Sequence, residues 1–372
     1  MKILQVCSAD AIGGGEHHVI DLTRGLLQRG HELHLAVRPN SPLRADLADA
    51  PIHWHEVKLR NALDVFSAKR LATIITQNKI EVVHAHVARD YPMTGLATRY
   101  LPVRFFLTRH HFNPLKSSSL YESTISHAAK LIAVSETVRH ELAKAFPTME
   151  DHIEVIPNWL RYTEPVSRTE ARKHFGIKRC WAIAVLGQIT PLKRQDLFLE
   201  AVRLLTENNS YERAEFFIIG TANPEEKNYE EKLRDTAREI GLADRVHFTG
   251  FVPDLPKYLA AFDIVVAPSD NEGFSLATIE AMNAGCAVLA SEVGGLTEII
   301  MHNETGILFQ PGNAEMIAVY MRFLLFDSHA RNKLTAAAQA SVRARFDREQ
   351  VLNRIEALYQ SSPTARDIMK NN

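Results

Sequence analysis

The chain has 372 residues, of which 46% are hydrophobic and 23% charged, and a formal net charge of −1. That length exceeds the ~100–200 residues of a single domain, and the composition excludes a disordered or fibrous protein. A charge so close to zero excludes a general electrostatic pull toward nucleic acid or anionic lipid.

Residues 2–7 read as a short buried strand, too short for the apolar core of a secretory leader. Gly13-Gly14-Gly15-Glu16 follows as a turn opening a helix, whose face carries Val19, Leu22, Leu26 and Leu27 and which ends at Gly30. Glycines there let backbone approach a ligand, and a helix N-terminus favours anions. A plain tight turn satisfies the same residues, and the spacing is not that of a dinucleotide fingerprint, because position 18 is histidine. Further strands are expected at residues 32–37, 82–86, 104–108 and 131–134. His84 and His86 alternate along one of them and therefore share a face. Thr108-Arg109-His110-His111 closes another. Histidine is concentrated in this half, with 13 of 17 before residue 160, which places some of them near a site or an interface.

The strand–helix rhythm pauses at Ile156-Pro157-Asn158, and a link is expected near residues 160–168. Strands resume at 181–186, 216–220, 246–249, 264–267 and 287–291, again alternating with helices. Such alternation predicts doubly wound parallel sheets in two domains, 1–163 and 168–346. A last helix is expected at 347–360, and the tail beyond Pro363 should fray. Cys7, Cys180 and Cys286 are far apart and read as reduced core cysteines of a cytosolic protein. No stretch approaches the ~20 apolar residues of a membrane span. A cytoplasmic protein is expected, with peripheral contact to the inner face of the membrane as an open option.

The most informative segment runs from Asn271 to Gly285. Glu272 sits in a turn beside Gly273, and Glu280 lies eight positions on, inside an apolar helical pattern of Leu276, Ile279 and Met282. Ser275 is the expected N-cap and Gly285 the C-terminal stop. The helix start suits a phosphate, while the two carboxylates suit hydroxyls of a sugar and of a ribose. A capped surface helix with two solvated glutamates is the plain alternative. Upstream, Gly187-Gln188-Ile189-Thr190-Pro191-Leu192-Lys193-Arg194 opens a second glycine turn with a lysine at a helix start. Gly250-Phe251-Val252 and Gly294-Gly295-Leu296-Thr297-Glu298 follow later strands.

The 272–280 segment resembles the E-x7-E signature of retaining glycosyltransferases of family 4, also called glycosyl transferase group 1. The other segments match that family in order. The resemblance implies the GT-B fold, an α/β architecture of two Rossmann-like domains with parallel sheets facing a cleft, the last helix crossing back to the first domain. It implies a donor held by Gly14, Gly15, Gln188, Lys193, Val252, Gly273, Phe274, Ser275, Leu276 and Glu280. Glu272, His110 and Lys193 are the implied catalytic residues, with His111 the competitor for His110, and Glu16 and His86 lie on the acceptor side. Glu298 reads as structural. The family's Arg–Lys pair for the diphosphate appears as Gln188 and Lys193, so Arg194 or a first-domain residue is expected to compensate. Acceptor choice is assigned to loops at 60–65, 87–93 and 113–119.

The implied activity is retaining transfer of a hexose-type sugar from a nucleoside diphosphate sugar, UDP before GDP, to a saccharide, lipid-linked or small-molecule alcohol, as in cell-envelope polysaccharide or glycolipid synthesis. No cofactor is expected. The chain contains no Asp-x-Asp, so no metal site is expected either. A non-catalytic sugar-nucleotide-binding subunit and a sugar-nucleotide epimerase are the rival readings. Neutral Gln188 favours the first, while the Lys193, Glu272 and Glu280 set disfavours the second. A phosphorylase is disfavoured by the lack of a pyridoxal-phosphate lysine context.

Overall fold

Apolar strands alternating with amphipathic helices build two parallel sheets in a computed structural model of the chain. It describes residues 1–371 apart from 62, 63, 113, 114, 116, 117, 162 and 208–210. The first sheet contains β1 (Lys2–Cys7), β2 (Glu32–Val37), β3 (His53–Glu56), β4 (Val82–Ala85), β5 (Arg104–Arg109), β6 (Lys130–Ala133) and β7 (Ile153–Val155). Its order is β3-β2-β1-β4-β5-β6-β7. The second contains β8 (Trp181–Leu186), β9 (Ala214–Ile219), β10 (Val246–Gly250), β11 (Ile264–Ala267), β12 (Ala287–Ser291) and β13 (Ile307–Phe309), in the order β10-β9-β8-β11-β12-β13. Helices cover both faces, which is why central strands read as unbroken apolar runs. Ala182, Ile183 and Ala184 of β8 are fully buried. In each sheet the winding reverses beside the first strand, between β1 and β4 and between β8 and β11. The carboxyl ends of strands at such a reversal are where doubly wound folds hold ligands.

The chain divides into one unit of Met1–Asn158 with Arg348–Asn372 and a second of Trp159–Asp347. The division falls just before the expected link. Beyond it the backbone is already tied to the second unit, where Leu160 N–H donates to Phe346 O at 3.0 Å and Val166 N–H to Lys257 O at 3.2 Å. The polar stretch after residue 161 contains a short helix, Arg168–His174, opened by a reciprocal Ser167–Glu170 capping box. The helix Arg348–Ser361 packs on the first unit. A Cβ on Gly25 would meet Leu352 Cδ1 at 2.7 Å, and Arg29 bridges Glu349 and Glu356 at 2.7 Å each.

Two expectations are corrected here. The tail beyond Pro363 is helical over Ala365–Asn371, and its start is fixed by Ala365 N–H donating to Val103 O at 2.7 Å. Cys180 is exposed, because it precedes β8 instead of lying inside it, while Cys7 and Cys286 are buried as expected. Parts of the 60–65 and 113–119 loops lie outside the described residues. Among the described residues no helix is long and apolar enough to cross a membrane.

Candidate active site

In the second unit the turn between β11 and the helix Leu276–Asn283 carries the first carboxylate. Ser275 caps that helix, its Oγ accepting from Thr278 N–H at 3.3 Å. Gly285 ends it in the left-handed region at φ 84, with Gly285 N–H bonded to Met282 O and Cys286 N–H to Ala281 O. This double C-terminal closure suits glycine because a Cβ is strained there. Glu272 is mostly buried and is ion-paired with the Lys193 ammonium. Lys193, Glu272, Ser275 and Thr278 line one concave surface with Val185 and Ser269. Sequence positions 79 residues apart are thus brought into contact. Gly273 and Phe274 are buried, and the Phe274 ring turns inward to meet Phe346 edge-on at 5.4 Å. Leu276 is half-buried at the helix start.

Glu280 lies deeper in the same helix and is 7% exposed. Burial pushes its carboxyl upward, opposed by Arg161, whose Nε donates to Glu280 Oε1 at 2.6 Å. Arg161 carries no motif, and its partner is 119 residues away, so sequence reasoning had no signal for it.

The turn holding Lys193 depends on glycine at two points. Gly187 adopts φ 119, and a Cβ on Gly220 would fall 1.9 Å from Gly187 O. Gln188 is exposed, and its carbonyl is held by Gln195 Nε2 at 2.9 Å. Arg194, the expected stand-in for the missing arginine, is already engaged by Asp196 at 3.2 Å and Asp270 at 2.9 Å. Those carboxylates, Asp196 first, hold its guanidinium more firmly protonated. The local cation that faces Glu272 is therefore Lys193.

Gly294 and Gly295 pack on the back of the carboxylate turn. A Cβ on either would lie 2.3 Å from the carbonyl of Glu272 or Gly273, and Gly295 N–H donates to Glu272 O at 2.8 Å. The G-G-x-x-E segment thus shapes the loop that presents Glu272. Glu298 accepts through its carbonyl from Arg345. Val252 is half-buried just past the end of β10.

In the first unit, the helix Gly14–Gln28 starts after β1. Glu16 reaches back to cap it, its carboxylate accepting from Gly13 N–H at 3.0 Å, and burial raises its pKa. Gly14 is exposed, while a Cβ on Gly15 would sit 3.4 Å from the His110 ring. His110 follows β5 and turns inward, whereas His111 is exposed. His110 lies beside His18 and His86, with ring centroids 4.7 and 5.9 Å away. His84 shares the face of His86, its Nδ1 2.6 Å from Tyr359 OH and its Nε2 2.6 Å from Thr108 Oγ1. Burial pushes His18 down to about 3 and His84, His86 and His110 well below the usual imidazole value, so these rings are neutral. His18 was not singled out from the sequence, although Gly15, His18, Val19 and Leu22 fall at helical spacing on one face. Asp90, fully buried in the same unit, accepts from Ser8 N–H at 2.9 Å and is pushed up to about 6 by burial. A wider depression in this unit, lined by Phe112, His140, Glu141 and Lys144, contains none of the predicted site residues.

Two doubly wound units, one presenting a helix-capped carboxylate–lysine turn, define a GT-B α/β protein. Comparison with known proteins supplies the family. Residues 167–341 match the model of glycosyl transferases group 1, and residues 12–161 match that of glycosyltransferase family 4. The chain belongs to the group 1, family 4 glycosyltransferases. It is 24% identical to the N-acetyl-alpha-D-glucosaminyl L-malate synthase of Bacillus anthracis, over 94% of both chains. It is 25% identical to the D-inositol 3-phosphate glycosyltransferase of Frankia alni, over 88% of this chain and 89% of that one. The crystal structure of Anabaena HepE in complex with UDP superposes with a TM-score of 0.85 at 21% identity, covering 97% of this chain and all of that one.

Proposed function

We propose that this enzyme transfers a hexose-type sugar from a UDP-sugar to an alcohol with retention of anomeric configuration and without a metal ion. The observation that carries the reading is the Lys193–Glu272 pair, set against the Ser275-capped helix start at the carboxyl end of β11. In this reading the diphosphate takes Lys193 from Glu272 and lies on the helix N-terminus, where partial positive charge favours it. The released Glu272 carboxylate accepts from the sugar hydroxyls, and Glu280 accepts from the ribose diol while Arg161 balances its charge. The bond from C1 to the leaving phosphate breaks as the bond from the acceptor oxygen forms on the same face. The acceptor proton passes to a phosphate oxygen. Lys193 and the helix start stabilise charge that grows on the leaving group, which is where fixed cations accelerate reaction. His110 is assigned to the chemistry by its match to the family.

UDP is favoured as donor because HepE is solved with UDP and with UDP-glucose. Acceptors named for the relatives are malate and an inositol phosphate, which favours a small hydroxyl compound beside the saccharide or lipid-linked acceptors of envelope synthesis. Work in the cytoplasm, with peripheral contact at the membrane, belongs to the same reading.

The test is turnover of a panel of UDP- and GDP-sugars with excess EDTA present, with the product anomer read by NMR. Retained configuration and turnover in chelator are expected. Inverted product, or activity that returns only with added manganese or magnesium, would sink the proposal. Glu280→Gln should weaken UDP binding about tenfold to hundredfold, the worth of a charged hydrogen bond of roughly 1.5–3 kcal/mol.

A further inference from the structure

Three imidazoles from separate elements converge in the first unit. His18 comes from the buried face of the helix Gly14–Gln28, His86 follows β4 and His110 follows β5. One ring nitrogen from each lies within 4.8 Å of the other two. The ring centroids are 4.7, 5.9 and 6.0 Å apart.

The polar bookkeeping of this cluster is incomplete. His86 Nε2 lies 2.5 Å from Gln5 Oε1, so the proton is on Nε2 and Nδ1 keeps its lone pair. That Nδ1 and both ring nitrogens of His110 are buried without a hydrogen-bond partner. Buried polar atoms are seldom left this way, because desolvation without a partner is unfavourable. A ring that donates outward to a carbonyl and keeps its other nitrogen inward is the arrangement of a histidine metal ligand. Nitrogens around a tetrahedral zinc at ~2.0–2.1 Å stand roughly 3.3 Å apart, within reach of small rotations of these rings. Three neutral nitrogen ligands select zinc, cobalt, nickel or copper over magnesium and calcium, which take oxygen.

We propose that His18, His86 and His110 form a site for one borderline divalent transition-metal ion, with zinc as its type. The ion is not part of the transfer chemistry. His110 cannot serve a metal and a sugar donor at once, so metal occupancy shuts transfer off; this consequence alone rests on the reading above. A second His-rich group, Glu32, His34 and His53 at the β2–β3 edge, also brings three ligand atoms together. There Lys2 already occupies Glu32 at 3.1 Å, and His53 is largely exposed. That group therefore serves as the internal control.

The experiment is cobalt titration of the EDTA-stripped, full-length protein. Visible d–d bands of a tetrahedral nitrogen site are expected, saturating at one cobalt per chain and bleached by zinc. His86→Gln and His18→Gln should abolish the bands, and Gln5→Leu should weaken cobalt binding about tenfold to hundredfold through the lost support of His86. His53→Ala should leave them unchanged. Wild-type crystals soaked in zinc should show an anomalous peak between the three rings, which decides the matter even if a variant fails to fold. No bands together with no such peak, or bands lost in His53→Ala but kept in His86→Gln, would overturn the site. Zinc should also suppress turnover over the concentrations that bleach the cobalt bands. Zinc-loaded enzyme turning over at the unloaded rate would overturn the competition and leave the site standing. A chain with no transferase activity at all would still give the binding result.

Discussion

The two units share one topology and fill its reversal point with opposite chemistry. Beyond β8 and β11 the second unit places full charges and pairs them, Lys193 with Glu272 and, deeper, Arg161 with Glu280. Beyond β1, β4 and β5 the first unit places His18, His86 and His110, rings that burial keeps neutral. On the function proposed above, the difference separates two tasks. A site for a diphosphate needs a mobile cation whose resting partner can let it go. A site built of neutral rings offers lone pairs and N–H groups with no charge to displace. Fold alone dictates neither, since both sheets wind the same way.

The largest effect should come from breaking the charged side. Lys193→Ala removes the cation that faces Glu272, and Arg194 cannot replace it while Asp196 and Asp270 hold it. Turnover should fall on the order of 10²–10³-fold, as when a single transition-state donor is removed elsewhere. Gln188→Arg, by contrast, adds a cation at an exposed position and should be tolerated or mildly activating. Steady-state rates check both. Wild-type rates from Lys193→Ala would show that the charge comes from another residue.

Breaking the neutral side should alter rate more than binding. His110→Ala is expected to lower turnover about tenfold to hundredfold, equivalent to roughly 1.4–2.8 kcal/mol, with calorimetric affinity for UDP nearly unchanged. An interaction made only as the reaction proceeds appears in the rate and not in ground-state binding. His111→Ala, at an exposed position, should change neither. A collapse in His111→Ala with normal turnover in His110→Ala would show the assignment shifted by one residue.

How much of this was legible in the sequence follows from where each residue sits. Central strands such as β1, β8 and β12 are buried on both faces and announce themselves as apolar runs. The strands that went unread, β3, β7 and β13, each lie at a sheet edge. β3 reads His-Trp-His-Glu and is half open to solvent, so its periodicity carries little signal. The helix Leu276–Asn283 was readable to its caps, because Ser275 and Gly285 perform local tasks that only a few residue types can perform. Arg161, Gln5 and Asp270, which holds Arg194 from the other side of the turn, were not readable. Their roles are contacts between distant positions, and no spacing rule reaches across 119 residues.

A finer contrast separates the two buried carboxylates. Asp90 and Glu280 are both pushed upward by burial, but Glu280 is paired with Arg161 while Asp90 takes a hydrogen bond from Ser8 N–H. For Asp90 the folded value is about 6 against an ordinary 3.8. A carboxyl raised on folding stabilises the fold fully below its unfolded pKa and loses that contribution as pH rises through the folded one. At pH 8 the folded chain therefore holds a buried carboxylate that the unfolded chain would leave in water. Asp90→Asn removes that penalty, and its Oδ1 can still accept from Ser8 N–H. It should stabilise the protein by on the order of 1–3 kcal/mol at pH 8, with the gain shrinking as pH falls through about 6. Glu280→Gln relieves a penalty of the same sign but gives up an ion pair, so its gain at pH 8 should be smaller. It leaves the Arg161 guanidinium without its carboxylate, at a cost below the ~3–5 kcal/mol of a fully buried broken pair because Arg161 is partly exposed. Denaturant melts of both variants at pH 8 and pH 5 check the signs. If Asp90→Asn destabilises at pH 8, its charge is wanted by Arg89 and Arg38 nearby, and the first unit is less neutral than its histidines suggest.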